Sequence, residues 1–186
     1  MVPLPALWLP IVLSAVAVFL LSFLIHMLLP VHRNDLSRLP NEDAVLDFVR
    51  STNVPPGEYA APYAGSPAGM KDPGFIEKVK RGPLLLLNVA PGSGMSMGKQ
   101  LTNWFIYVLI VTLFAAYVAS RARGPDARGA DVFRFVSTTA WLGYSMALPQ
   151  FSIWWRRSWS TTLKSMFIDG LLYAVATGIV FCWLWP

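Results

Sequence analysis

Four polar side chains interrupt otherwise apolar stretches of this sequence: His26, Asn103, Gln150 and Asp169. Histidine changes charge near neutral pH and aspartate can pair with it, so the set could titrate a proton or coordinate an ion. Depth decides whether they meet. His26 lies four residues before Pro30, Asn103 two past Leu101, and Asp169 five past Lys164, while Gln150 sits near the end of a third apolar run. At 1.5 Å per residue, all four fall within about 3–8 Å of one membrane face. Ionisable groups in membrane spans turn inward and find partners. The expectation is a His26–Asp169 contact with Asn103 and Gln150 around it. Such an intramembrane polar cluster either opens to that face or fixes helix packing through hydrogen bonds.

Other chemistries fail on spacing. The stretch "GPLLLLNVAPGSGMSMGKQLTNWF" has the outline of a phosphate-binding loop, which requires G-x-x-x-x-G-K-[ST]. Counting back five from Gly98 reaches Ser93; Gly92 is one residue early, Gly94 one late, and Gln100 replaces the metal-binding hydroxyl. The following helix enters an apolar run instead of packing on a soluble sheet, so no nucleotide is expected. Gly94, Ser96 and Gly98 fit the letters G-x-S-x-G, but no strand–turn–helix context or accompanying His and Asp supports a hydrolase. His26, Met27 and His32 hint at copper. Six residues put the two imidazoles on different sides of a continuous helix, Pro30 interrupts that helix, and no third ligand is placed by sequence. No metal, cofactor or catalytic set is expected. The lone Cys182 can form no intramolecular disulfide and reads as a small apolar filler.

The elements that must position the polar cluster are membrane helices. Of the 186 residues 55% are hydrophobic and 13% charged, with a mean hydropathy of +0.49; soluble domains carry about 25% charged residues. Four segments have the roughly 20 apolar residues that a bilayer crossing needs. The expected fold is an all-α membrane protein with four transmembrane helices and a small α+β module between the first two. Helix 1 occupies 1–30 (apolar from Pro10), the module 31–100, helix 2 101–120, a loop 121–131, helix 3 132–154, a loop 155–164 and helix 4 165–186. Tryptophans favour the headgroup level, and only Trp141 falls in mid-span. Four crossings leave both termini on one side of a multi-pass cell-membrane protein. The positive-inside rule favours a cytoplasmic position for residues 31–100 and outward termini. The net charge of +5 is scattered over short loops, which excludes nucleic acid as a partner.

In the module, Asn41 is the expected N-cap of a helix with Val45, Phe48 and Val49 on one stripe. "EYAAPY" reads as an edge strand. Asp72 caps a second helix with Pro73 at its first position, Phe75, Ile76 and Val79 inward, and Gly82 at its end. "PLLLLNVA" reads as a buried strand. So little core needs support from the membrane helices, lipid or a partner. In helix 4, Gly170, Ala174 and Gly178 repeat every fourth residue, a packing stripe that lets a neighbouring backbone approach.

The segments "LPNEDAVLDFVR", "VPPGEYAAPYAGSP…MKDPGFIEKVKRGP", "WSTT" and "WLWP" resemble a group of small bacterial integral membrane proteins of unknown function. The likeness covers Leu39 to Pro186. It implies a bacterial inner-membrane protein and brings no activity, cofactor or ligand. The expected function is a non-enzymatic accessory or scaffold subunit of a membrane complex, partnered by lipid and by another membrane protein or a second copy. The alternative is a small transporter or proton-linked channel using the His26/Asp169 pair.

Overall fold

Prolines set the helix boundaries in this chain. The computed structural model describes residues 1–92 and 96–186; Ser93, Gly94 and Met95 of the glycine-rich loop lie outside the described residues. The described residues are mostly helical, with one two-stranded sheet among them. It divides into two compact units: Met1–Ser37 with Met97–Pro186, and Arg38–Ser96.

Among the described residues, three helical stretches of the first unit are long and apolar enough to cross a membrane: Leu4–Leu28, Met97–Ala122 and Trp159–Leu184. Each begins earlier than hydropathy alone suggests. Pro5 sits in a 3₁₀ turn, Leu4–Leu7, and Pro10 is the third residue of α1 (Trp8–Phe23). Neither blocks the helix, because the first N–H groups of a helix have no intrahelical acceptor.

The segment 132–154 is not one continuous helix. Two short α-helices of the second unit, α2 (Glu42–Ser51) and α3 (Pro73–Arg81), precede α4 (Met97–Ala122), and α5 then covers only Gly129–Ser145. Pro149 has no N–H to offer the Ser145 carbonyl. Leu148 N–H closes a turn on that carbonyl at 3.0 Å instead. Pro149 then opens α6 (Pro149–Trp155), the position where its fixed φ suits a helix start. A further helix, α7 (Trp159–Lys164), leads through Ser165–Asp169 into α8 (Gly170–Leu184).

Helix α8 packs on α5 and α1, and α4 also packs on both. Buried Leu7, Val18, Ile25, Val108, Val136 and Phe181 belong to the shared core. Gly170, Ala174 and Gly178 are all buried on α8. A Cβ at Gly170 would overlap Ser145 Oγ, and one at Gly178 would overlap Ser137 Oγ and come within 2.8 Å of the Phe133 ring. The stripe therefore faces α5, where glycine permits a backbone approach that alanine would obstruct.

The second unit follows the order helix, strand, helix, strand. Strand β1 (Gly57–Ala61) pairs antiparallel with β2 (Leu85–Val89), Tyr59 opposite Leu87. Asp72 accepts a hydrogen bond from Phe75 N–H at 2.8 Å and caps α3, which Gly82 ends. Two expectations need correction. Asn41 adopts a left-handed conformation, φ 52°, and its side chain caps nothing in α2. β2 is not buried: Leu85, Leu86 and Leu87 are 40–47% exposed, because a two-stranded sheet with two short helices cannot cover both of its faces.

Candidate functional site

Pro30 decides how the helical stretch Leu4–Leu28 ends. Its ring disfavours a helical residue before it, and Leu29 is extended at φ −94°, ψ 146°. Leu24–Leu28 form a π-helical turn that ends with Leu29 N–H on the Leu24 carbonyl at 3.0 Å. A 3₁₀ turn, Pro30–His32, then folds the chain back over the helix end. The rings of His26 and His32 consequently stack, 4.5 Å between centroids and 1° from parallel.

A second π-helical turn, Ser165–Asp169, places the carboxylate opposite them. Gly170 N–H bonds the Ser165 carbonyl five residues back. The Met166 carbonyl is thereby released from the usual four-residue pattern. Trp141 Nε1–H donates to it at 3.1 Å and Ser145 Oγ–H at 3.3 Å. This accounts for the one tryptophan that the headgroup rule leaves in mid-span. Trp141→Phe is expected to cost about 1–2 kcal/mol, the upper range for an interhelical hydrogen bond, in reversible unfolding of the detergent-solubilised chain. An unchanged stability would remove Trp141 from the account of this turn. π turns concentrate at functional sites, and here both carry a polar residue to the same place.

His32 is the hub. Its Nε2 lies 2.9 Å from Asp169 Oδ1 and its Nδ1 2.7 Å from Asp35 Oδ2. Carboxylates only accept, so both ring nitrogens donate and His32 is an imidazolium between two aspartates. Burial opposes that charge, but the hydrogen bonds to Asp35 and Asp169 and their negative charges outweigh it and raise the pKa above 6.5. Burial likewise favours a neutral Asp35, yet the Lys164 and His32 hydrogen bonds and charges hold its carboxyl below the ordinary 3.8. Lys164 Nζ donates to Asp35 Oδ1, and to the Val31 carbonyl at 3.2 Å. Two cations and two anions thus alternate along Lys164–Asp35–His32–Asp169.

His26 stands beside this chain. Its Nδ1 donates to the Ser22 carbonyl at 3.0 Å, and its Nε2 is 3.9 Å from Asp169 Oδ2, too far for a hydrogen bond. An open cleft of about 340 Å³ borders His26, His32, Leu29 and Arg33.

No protein-family model, no curated protein and no solved structure matches this chain. The site is therefore read from its own residues.

Sequence spacing places His26 and Asp169 at one level, and the structure sets them beside each other. Asn103 and Gln150 are not brought in. Both are exposed, and neither side chain hydrogen-bonds to His26, His32 or Asp169. Asn103 falls one residue off the inward stripe of α4, which runs Trp104, Val108, Val111, Ala115, Ala119. Trp104 takes the inward place and donates to Ser22 Oγ at 3.0 Å. Gln150 follows the Pro149 break, where Ser152 turns inward and pairs with Thr162 at 2.7 Å. A continuous helix would set His26 and His32 on different sides; Pro30 interrupts the helix, and the two rings stack. His32, Asp35 and Lys164 are the members that hydropathy misses. The signal was there: His32 and Asp35 are three apart just after a proline, the spacing of a single turn.

Proposed function

We propose that the chain is a four-span protein of a bacterial inner membrane, with both termini outward, acting as a non-enzymatic accessory or scaffold subunit. Residues 38–96 are its docking element for a partner protein. The fourth crossing is α5, about 25 Å long at 17 residues, continued by the turn and α6. Its packing against α4 and α8, both of membrane-spanning length, supports that assignment.

The observation that carries the reading is exposure. Among the described residues of Arg38–Ser96 not one is buried. Phe48 is 68% exposed, and the Leu84–Leu87 run is exposed along its whole length. A segment this size needs more buried apolar surface to hold its fold, and a contiguous apolar run on a soluble face marks a contact surface. Charge favours protein over lipid as the cover. Arg38, Arg50, Lys71, Lys78, Lys80 and Arg81 are matched by Glu42, Asp43, Asp47, Glu58, Asp72 and Glu77. Anionic headgroups attract basic segments, and here each positive charge has an acidic counterpart. Among the described residues β1 and β2 pair only with each other, which leaves each an outer edge for an added strand.

Gentle extraction from the native membrane followed by native mass spectrometry tests this. The reading expects a stoichiometric partner that is lost with Phe48→Asp plus Leu86→Lys, changes at exposed positions that leave the helical unit untouched. A lone chain, or a partner retained by that variant, contradicts it.

A further inference from the structure

The hydrogen bonds of the two histidines leave their ring nitrogens in a specific arrangement. A backbone carbonyl can only accept, so the Ser22 carbonyl fixes a proton on His26 Nδ1, and in the neutral imidazole Nε2 carries the lone pair. Asp35 holds the proton on His32 Nδ1 and directs Nε2 at Asp169. Each imidazole therefore has an outer acceptor on Nδ1 and faces the Asp169 carboxylate with Nε2. That is how ligating histidines are oriented in metal sites, a carbonyl or carboxylate taking the second ring N–H. Lys164 anchors the outer carboxylate. One ligand atom from each of His26, His32 and Asp169 lies within 4.8 Å of the others.

We propose that His26 Nε2, His32 Nε2 and the Asp169 carboxylate bind one divalent first-row transition metal ion, with a coordination position open to the cleft at the helix end. Two imidazoles and a carboxylate are a donor set for Zn²⁺ and its neighbours, not for Ca²⁺ or Mg²⁺, which take oxygen. The ion replaces the Nε2 proton of His32, which is released, and both hydrogen bonds to the outer acceptors stay in place. Bonds of about 2.0–2.2 Å bring tetrahedral ligand atoms to roughly 3.3 Å apart, so the widest spacing must contract by up to about 1.5 Å while the 2.9 Å His32–Asp169 spacing opens slightly. The rings are parallel, and their Nε2 lone pairs do not yet converge. His26 can supply the adjustment: its side chain is 46% exposed, whereas His32 and Asp169 are at 13% and 8%. The 3.9 Å gap between His26 Nε2 and Asp169 Oδ2 is the one that a bridging ion would close. This inference is independent of the docking role.

The full chain, purified in detergent and stripped with a chelator, is titrated with Zn²⁺ by calorimetry and with Co²⁺ by visible absorption. The expected result is one ion per chain and a tetrahedral or five-coordinate Co²⁺ spectrum. His26→Gln and Asp169→Asn should each weaken Zn²⁺ at least tenfold, and Asp35→Asn about ten- to a hundredfold through the outer hydrogen bond. His26→Gln is the decisive variant, because it leaves the Lys164–Asp35–His32–Asp169 chain intact; unchanged elution volume and circular dichroism confirm the fold. Absence of saturable binding by Zn²⁺ and Co²⁺, or binding that His26→Gln leaves unaltered, overturns the proposal.

Discussion

Asp169→Ala is expected to lower the unfolding free energy of the detergent-solubilised protein by about 3–5 kcal/mol, the loss typical when one member of a buried ion pair is removed. The reason is what remains behind. His32 is 13% exposed and donates from both ring nitrogens. Without Asp169 the Nε2–H loses its fixed acceptor, while most of the imidazolium stays buried without the charge that balanced it. Asp169→Asn keeps an acceptor oxygen at the same place and loses only the charge, so it should cost less than half as much. The exposed pair Arg50–Asp47 is the internal comparison: its side chains are 68% and 74% exposed. Such pairs contribute about 0–1 kcal/mol, and Asp47→Ala should leave stability unchanged within error. Equal effects of Asp169→Ala and Asp47→Ala would mean that the His32–Asp169 pair carries no more weight than a surface contact.

The second large effect is steric. Gly178→Val adds a branched side chain where a single Cβ already overlaps Ser137 Oγ and approaches Phe133. Overpacking of this kind costs about 1–3 kcal/mol, and here it pushes α8 away from α5. Ser137→Ala removes the first obstacle and should restore part of the loss, which a shift in the heat-unfolding midpoint would report. Failure of Ser137→Ala to rescue any of it would place the obstruction elsewhere. Gly129, in contact distance of Cys182, is a second close approach on the same pair of helices.

What the sequence made legible follows from what each signal measures. Hydropathy measures apolar length, so it located the three helices long and apolar enough to cross a membrane and a fourth apolar segment. It could not see the Pro149 break, because Ala147 and Leu148 are as apolar as the helix before them. Depth counting placed His26 and Asp169 on one level because both depend only on distance from a helix end. It could not place Asn103 or Gln150, whose partners depend on rotation about the helix axis, where one residue is worth roughly 100°. The π turns at Leu24–Leu28 and Ser165–Asp169 add such a rotation without any marker in composition. In the second unit, capping chemistry foretold α3 from Asp72, Pro73 and Gly82. The apolar run at Leu84–Leu87 suggested burial because leucine content reports the wish to be covered, and the chain itself supplies too little to cover it.

His32 and Asp169 tie the turn after Leu4–Leu28 to the start of the last helix. A double-mutant cycle of His32→Gln and Asp169→Asn, with unfolding free energies measured in detergent and chelator, tests that tie without any contribution from metal. The account predicts a coupling of about 1–3 kcal/mol, as for residues in one buried network. Single effects that add to within about 0.5 kcal/mol would show that the two side chains do not act on each other, and would contradict it.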